Sequence, residues 1–96
     1  MLTGKQKRYL RSRANHLKPV FQVGKTGVNA NMIKQIGEAL EKRELIKVSV
    51  LQNCLDDKDT VAEQLASGTG AEIVQTIGRM IVLYKESEEH KQIELP

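Results

Sequence analysis

The stretch Gly24-Lys25-Thr26-Gly27 combines residue types and spacing that suggest two chemistries. The first is nucleotide binding through a P-loop, which requires G-x-x-x-x-G-K-[ST] and therefore a glycine at position 19. That position is Pro19, and Val20 to Val23, where the phosphate-wrapping loop would lie, reads as a strand. No nucleotide cofactor is expected, because the loop that supplies cradling amides is missing. The second chemistry is a GxxG loop leading into a helix. Two glycines let a nucleic-acid backbone approach the main chain closely, and amides at the next helix N-terminus face its phosphates. A bare GxxG is also an ordinary strand-to-helix turn, so surrounding residues must decide between the two.

Other reactive residue types are sparse. Cys54 is the single cysteine, and His16 and His90 stand far apart without ligand spacing, so neither a disulfide nor a metal site is expected. Asp56, Asp57 and Asp59 fit the start of a helix, where carboxylates cap free amides and complement the dipole, better than a cation site. His16 is expected to serve the end of the first helix. No Ser/His/Asp, Cys/His or paired-carboxylate arrangement stands out, so the chain is not expected to be an enzyme.

Charge favours the nucleic-acid reading. Residues 1–37 carry eight basic side chains (Lys5, Lys7, Arg8, Arg11, Arg13, Lys18, Lys25 and Lys34) and no acid, whereas residues 38–96 carry seven basic and twelve acidic. A solvated face ordinarily mixes signs, so this asymmetry points to a polyanionic partner on the N-terminal side. Only three aromatics are present, Tyr9, Phe21 and Tyr84, which argues against recognition by several stacked bases. No window approaches the run of about 18 apolar residues that a membrane span needs. The acid-free N-terminus has one trait of a mitochondrial presequence, yet it runs straight into domain sequence and reads as a folded basic helix. A monomeric protein of a reducing, cytoplasmic compartment fits these features.

The positions of these residues depend on seven elements. Thr3 caps a helix running to about His16, with Leu10, Ala14 and Leu17 on one stripe and Lys5, Lys7, Arg8 and Arg11 across the opposite arc. Pro19 ends it, and Val20–Val23 is a short strand. Asn29 caps a second helix from Ala30 to Arg43, and Leu45–Leu51 alternates as a strand with Ile46, Val48 and Val50 inward. A third helix spans about Asp59 to Ser67, closed by Gly68. Glu72–Ile77 and Met80–Tyr84 form a hairpin around Gly78-Arg79, with glycine first as in a type II′ turn. Ninety-six residues allow one core. The expected fold is α+β: α-β-α-β-α-β-β, a four-stranded mixed sheet with one helix-covered face. Residues 1–85 form the domain, and residues 86–96 read as a charged, mobile tail.

Three stretches carry a family resemblance: Leu17 to Val28, Glu44 to Val48 and Gly70 to Lys85. In this order, over nearly the whole chain, they resemble the CRM domain family (chloroplast RNA splicing and ribosome maturation) and its stand-alone bacterial members of the YhbY/YqeI type. The resemblance implies an RNA-binding domain related in fold to the C-terminal domain of translation initiation factor 3. It also implies bacterial association with ribosomal RNA in large-subunit precursors during ribosome assembly. By resemblance the RNA-contacting residues are Gly24, Lys25, Thr26 and Gly27, supported by the basic first helix. KH domains, similarly, clamp about four nucleotides with a GxxG loop. The expected binding set is Lys5, Lys7, Arg8, Arg11, Lys18, Gly24, Lys25, Thr26 and Gly27. The competing reading is a protein-binding adaptor that docks ribosomal or assembly-factor surfaces through an open sheet face.

Overall fold

Alternation in the central strand organises the molecule. In a computed structural model that describes residues 2–96, Ile46, Val48 and Val50 point to one side of a sheet, and Leu45 points to the other. The elements are α1 (Gly4–Ala14), β1 (Pro19–Val23), α2 (Ala30–Arg43), β2 (Leu45–Val50), α3 (Lys58–Thr69), β3 (Glu72–Ile77) and β4 (Met80–Tyr84). The strands lie in the order β1-β2-β4-β3, with β1 parallel to β2 and the other pairs antiparallel. The mixed α+β architecture expected from the sequence is therefore present. The hairpin turn agrees as well, since Gly78 takes a φ of +56°.

One core lies beneath α2 and α3, where Ile36, Leu40, Val61 and Leu65 meet Val23, Ile46, Val48, Ile81 and Leu83. The two helices approach closely at Gly68, where an added Cβ would sit 2.5 Å from the Ile33 Cδ1 atom. This explains why Gly68 lies inside α3 rather than closing it. The helix continues to Thr69 and is closed by Gly70, whose φ is +79°. The small residue read as a stop signal is a packing residue.

The opposite face is not open, contrary to the expectation of a single covered face. Leu10 and Ala14 of α1 pack on Leu45, Val74, Val82 and Tyr84, joined by Ile93 from the C-terminal segment. Helix α1 is shorter than expected, ending at Ala14 with Asn15 as its cap, so Leu17 leaves the apolar stripe and stays exposed. Thr3 and Gln6 form a reciprocal capping box at its start. Covering is confined to one half of this face; Gln22 and Ile77, toward the other end, remain exposed.

Residues 86–96 are docked rather than set apart from the domain. Two carboxylates one turn apart at the end of α2 collect their amides. Glu44 accepts backbone N–H groups from Ser87, Gln92 and Ile93, and Glu41 accepts those of Glu88 and Glu89 together with the Ser87 hydroxyl. Burial pushes the Glu44 carboxyl up, but its three backbone donors outweigh this and hold it below the ordinary range. Glu41 is lowered to about 2, chiefly by the Ser87 hydroxyl and then by the Glu88 and Glu89 amides. Glu44 also caps α2 with φ +64°, a conformation that side chains rarely adopt. The surrounding hydrogen bonds, including Lys85 N–H to the Glu44 carbonyl at 2.9 Å, hold it there.

Candidate nucleic-acid interface

Parallel pairing of β1 with β2 brings the ends of both strands to one edge of the sheet, and the GxxG loop leaves from that edge. The Gly27 N–H donates to the Gly24 carbonyl at 3.0 Å, closing a four-residue turn. Lys25 and Thr26 are exposed at its tip, while Gly27 is buried with φ +71°. The two glycines therefore have different constraints. Gly27 has a backbone that disfavours any side chain, whereas a Cβ on Gly24 would meet Leu51 and Asn53 at ordinary contact distances of 3.7 and 3.8 Å. Beyond the turn, the Asn29 side chain accepts the Met32 N–H at 2.8 Å. The first amides of α2 thus lie just past the loop, where helix N-termini attract anions.

The loop has a neighbour that the sequence did not reveal. The Leu51 N–H donates to the Val23 carbonyl at 2.9 Å, which lays residues 51–56 alongside the GxxG turn. A Cβ on Gly27 would stand 3.1 Å from the Asp56 Oδ2 atom, so an exposed carboxylate borders the loop. Among the three aspartates, Asp57 is the cap of α3, accepting the Thr60 N–H at 2.8 Å. That hydrogen bond lowers its carboxyl below the usual range. Asp56 could be placed beside Gly27 only once the strands were known to run parallel.

The basic residues of α1 divide by orientation. Lys5 and Arg8 are exposed on the outer face, whereas Lys7 and Arg11 lie half-buried on one flank. Arg13, outside the expected set, is exposed on the other flank, its guanidinium 5.8 Å from the Tyr9 ring centre and bonded to the Tyr9 hydroxyl at 3.3 Å. Lys18 is exposed at the start of β1. Helix and loop are not brought together: the chain leaves α1 at one end of β1 and enters the loop at the other. At about 3.3 Å per residue, five strand residues separate the two ends by roughly 16 Å. Glu41, Glu89 and His90 do place possible metal-ligand atoms within 4.8 Å of one another, but the Glu41 oxygens there hold the C-terminal segment. No described helix is long and apolar enough to cross a membrane.

Residues 2–85 match the family model described as the CRS1 / YhbY (CRM) domain. The chain belongs to that family. This CRM-domain chain is 74% identical over 96 residues to the "Probable RNA-binding protein YqeI" of Bacillus subtilis, covering all of both chains. It is 41% identical over 95 residues to the "RNA-binding protein" of Haemophilus influenzae, covering 99% of this chain and 95% of that one. The solution structure of the hypothetical protein SAV1595 from Staphylococcus aureus superposes on the CRM chain over the full length of both. Its TM-score is 0.83 at 64% identity. The names of both relatives refer to RNA binding.

Proposed function

We propose that this CRM-domain protein binds RNA, holding the sugar–phosphate backbone at Gly24–Gly27 with support from Lys18 and the exposed cations of α1. One observation carries the reading: a tight turn exposes Lys25 and Thr26 directly ahead of the α2 N-terminus. The names of close relatives and the cationic N-terminal third of the chain support the same conclusion. The partner we favour is ribosomal RNA in precursors of the large subunit, a context that follows from the family resemblance. The protein then acts by binding, in the cytoplasm and as a monomer, without cofactor or catalysis.

The decisive variant is Gly24→Lys. Its added side chain is sterically tolerated and its charge is favourable, so a merely electrostatic surface would bind RNA more tightly. A backbone clamp would bind it about tenfold less, because bulk blocks phosphate approach to the main chain. Fluorescence anisotropy with labelled RNA across a salt series measures this, and tighter binding by the folded variant would reduce the loop to a turn. Sedimentation of tagged protein from cells tests the ribosomal context: migration with large-subunit precursors is expected, and migration only with free protein would exclude it.

A further inference from the structure

We infer that the cavity where α1, β1 and α2 meet is a second RNA subsite, built to take one unpaired nucleotide. The inference rests on the RNA-binding reading and deepens it. The cavity has a volume of about 380 Å³, within the ordinary range of small-molecule sites. Its rim carries Arg13, His16 and Lys18 from the N-terminal third and Arg43 from the end of α2, and no acidic side chain among the described residues lines it. Between these groups lie Leu17 and Val20, which remain 36% and 38% exposed. Apolar surface left open inside a cationic rim matches a nucleotide, which presents a flat base and an anionic phosphate together.

Position selects RNA over a free nucleotide. Pro19 and Val20 line the cavity, and the same strand ends at Val23, next to Gly24, so β1 joins the subsite to the GxxG loop. β1 is also the edge of the sheet, with β2 on one side only. A strand of RNA held at the loop and running along this edge reaches the cavity after roughly 16 Å, a span of a few nucleotides. The occupant must be unpaired, since a stacked base would first have to leave its duplex at a cost of a few kcal/mol. Imidazole and guanidinium planes substitute here for the aromatic platforms that the sequence lacks.

The test uses the full chain and an unstructured RNA of about twelve nucleotides, within the span of known single-strand sites. Arg13→Gln/Arg43→Gln should weaken binding about tenfold and flatten the salt dependence by about 1.4 log units per log salt, two single-strand phosphate contacts. The melting temperature should stay near that of the parent. Abasic substitution, walked along the RNA, should weaken binding to the parent protein at one position and have no effect there with the double variant. Unchanged affinity in the variant, or no sensitive abasic position, would overturn the subsite while leaving the loop reading intact. Saturation of the parent by uridine monophosphate at micromolar concentration, without competition from the RNA, would reassign the cavity to free nucleotide. A parent protein that binds no RNA would remove the functional reading itself.

Discussion

Gly24 and Gly27 look alike in sequence, but different physical demands place them. Gly27 sits at φ +71°, with the Asp56 carboxylate 3.1 Å from where a Cβ would stand. Gly27→Ala should therefore destabilise the protein by about 1 kcal/mol or more, since an L-residue resists the left-handed region. Gly24→Ala has room and should change stability by less than about 0.5 kcal/mol. Equal denaturation midpoints for the two variants would mean the turn relaxes without strain. Asp56 yields a further expectation, because its exposed carboxylate borders the loop proposed to hold phosphate. Asp56→Asn should raise RNA affinity a few-fold and most strongly at low salt, as a local repulsion is screened by ions; a salt-independent change would point to altered loop structure. The GxxG spacing was legible in the sequence. The division of labour within it was not, because φ and the position of Asp56 are set by the turn and by a neighbouring strand.

Elements whose own pattern carries their structure were legible; those ordered by another element were not. Val48 and Val50 alternate with Lys47 and Ser49 because a strand has two faces, and Thr3 and Asn29 cap because helix amides need acceptors. The C-terminal segment has no such internal pattern. Its amides are gathered by Glu41 and Glu44, nearly fifty residues earlier, and one side chain, Ile93, enters the core. Glu44→Ala should orphan three backbone donors and cost about 2 kcal/mol or more, lowering the melting temperature by about 8 °C or more in a domain of this size. A melting temperature within a degree or two of the parent would show that the clamp adds nothing. The clamp also sets an acid dependence. Both carboxyls are held below their ordinary value of 4.5 in the folded protein, so protonation opposes folding. Their contribution is complete above that value and is lost as pH falls toward the Glu41 value of about 2. Glu41→Gln/Glu44→Gln should therefore be less stable near neutrality and decline less steeply between these limits. A parallel decline in thermal melts would assign the acid sensitivity elsewhere.

Across the whole molecule, the sequence announced a cationic N-terminal third and an acidic remainder, and the fold decides which cations reach outward. A helical wheel spreads Lys5, Lys7, Arg8 and Arg11 over one arc, because the buried stripe it opposes is narrow. Docking of α1 on β2, β3 and β4 narrows that arc: Lys5 and Arg8 stay exposed, while Lys7 and Arg11 become half-buried along one flank. Long basic side chains at such positions lay their stems on apolar surface, so part of their role is packing. The two pairs should consequently separate in solution. Lys5→Gln/Arg8→Gln should leave stability unchanged and reduce the slope of log affinity against log salt by about 1.4, the loss of two contacts with single-stranded RNA. Lys7→Gln/Arg11→Gln should lower the melting temperature and reduce the slope by less, because fewer phosphates can reach those groups. Glutamine keeps helix propensity close to that of lysine and arginine, so neither pair should unfold α1. Salt titrations of RNA affinity, paired with thermal melts of each variant, make the comparison. Equal slope losses for the two pairs would mean that RNA wraps the flank as well as the outer face of the helix. An unchanged slope for Lys5→Gln/Arg8→Gln would remove the outer face of α1 from the interface and leave recognition to the loop, the edge of β1 and the cavity at its start.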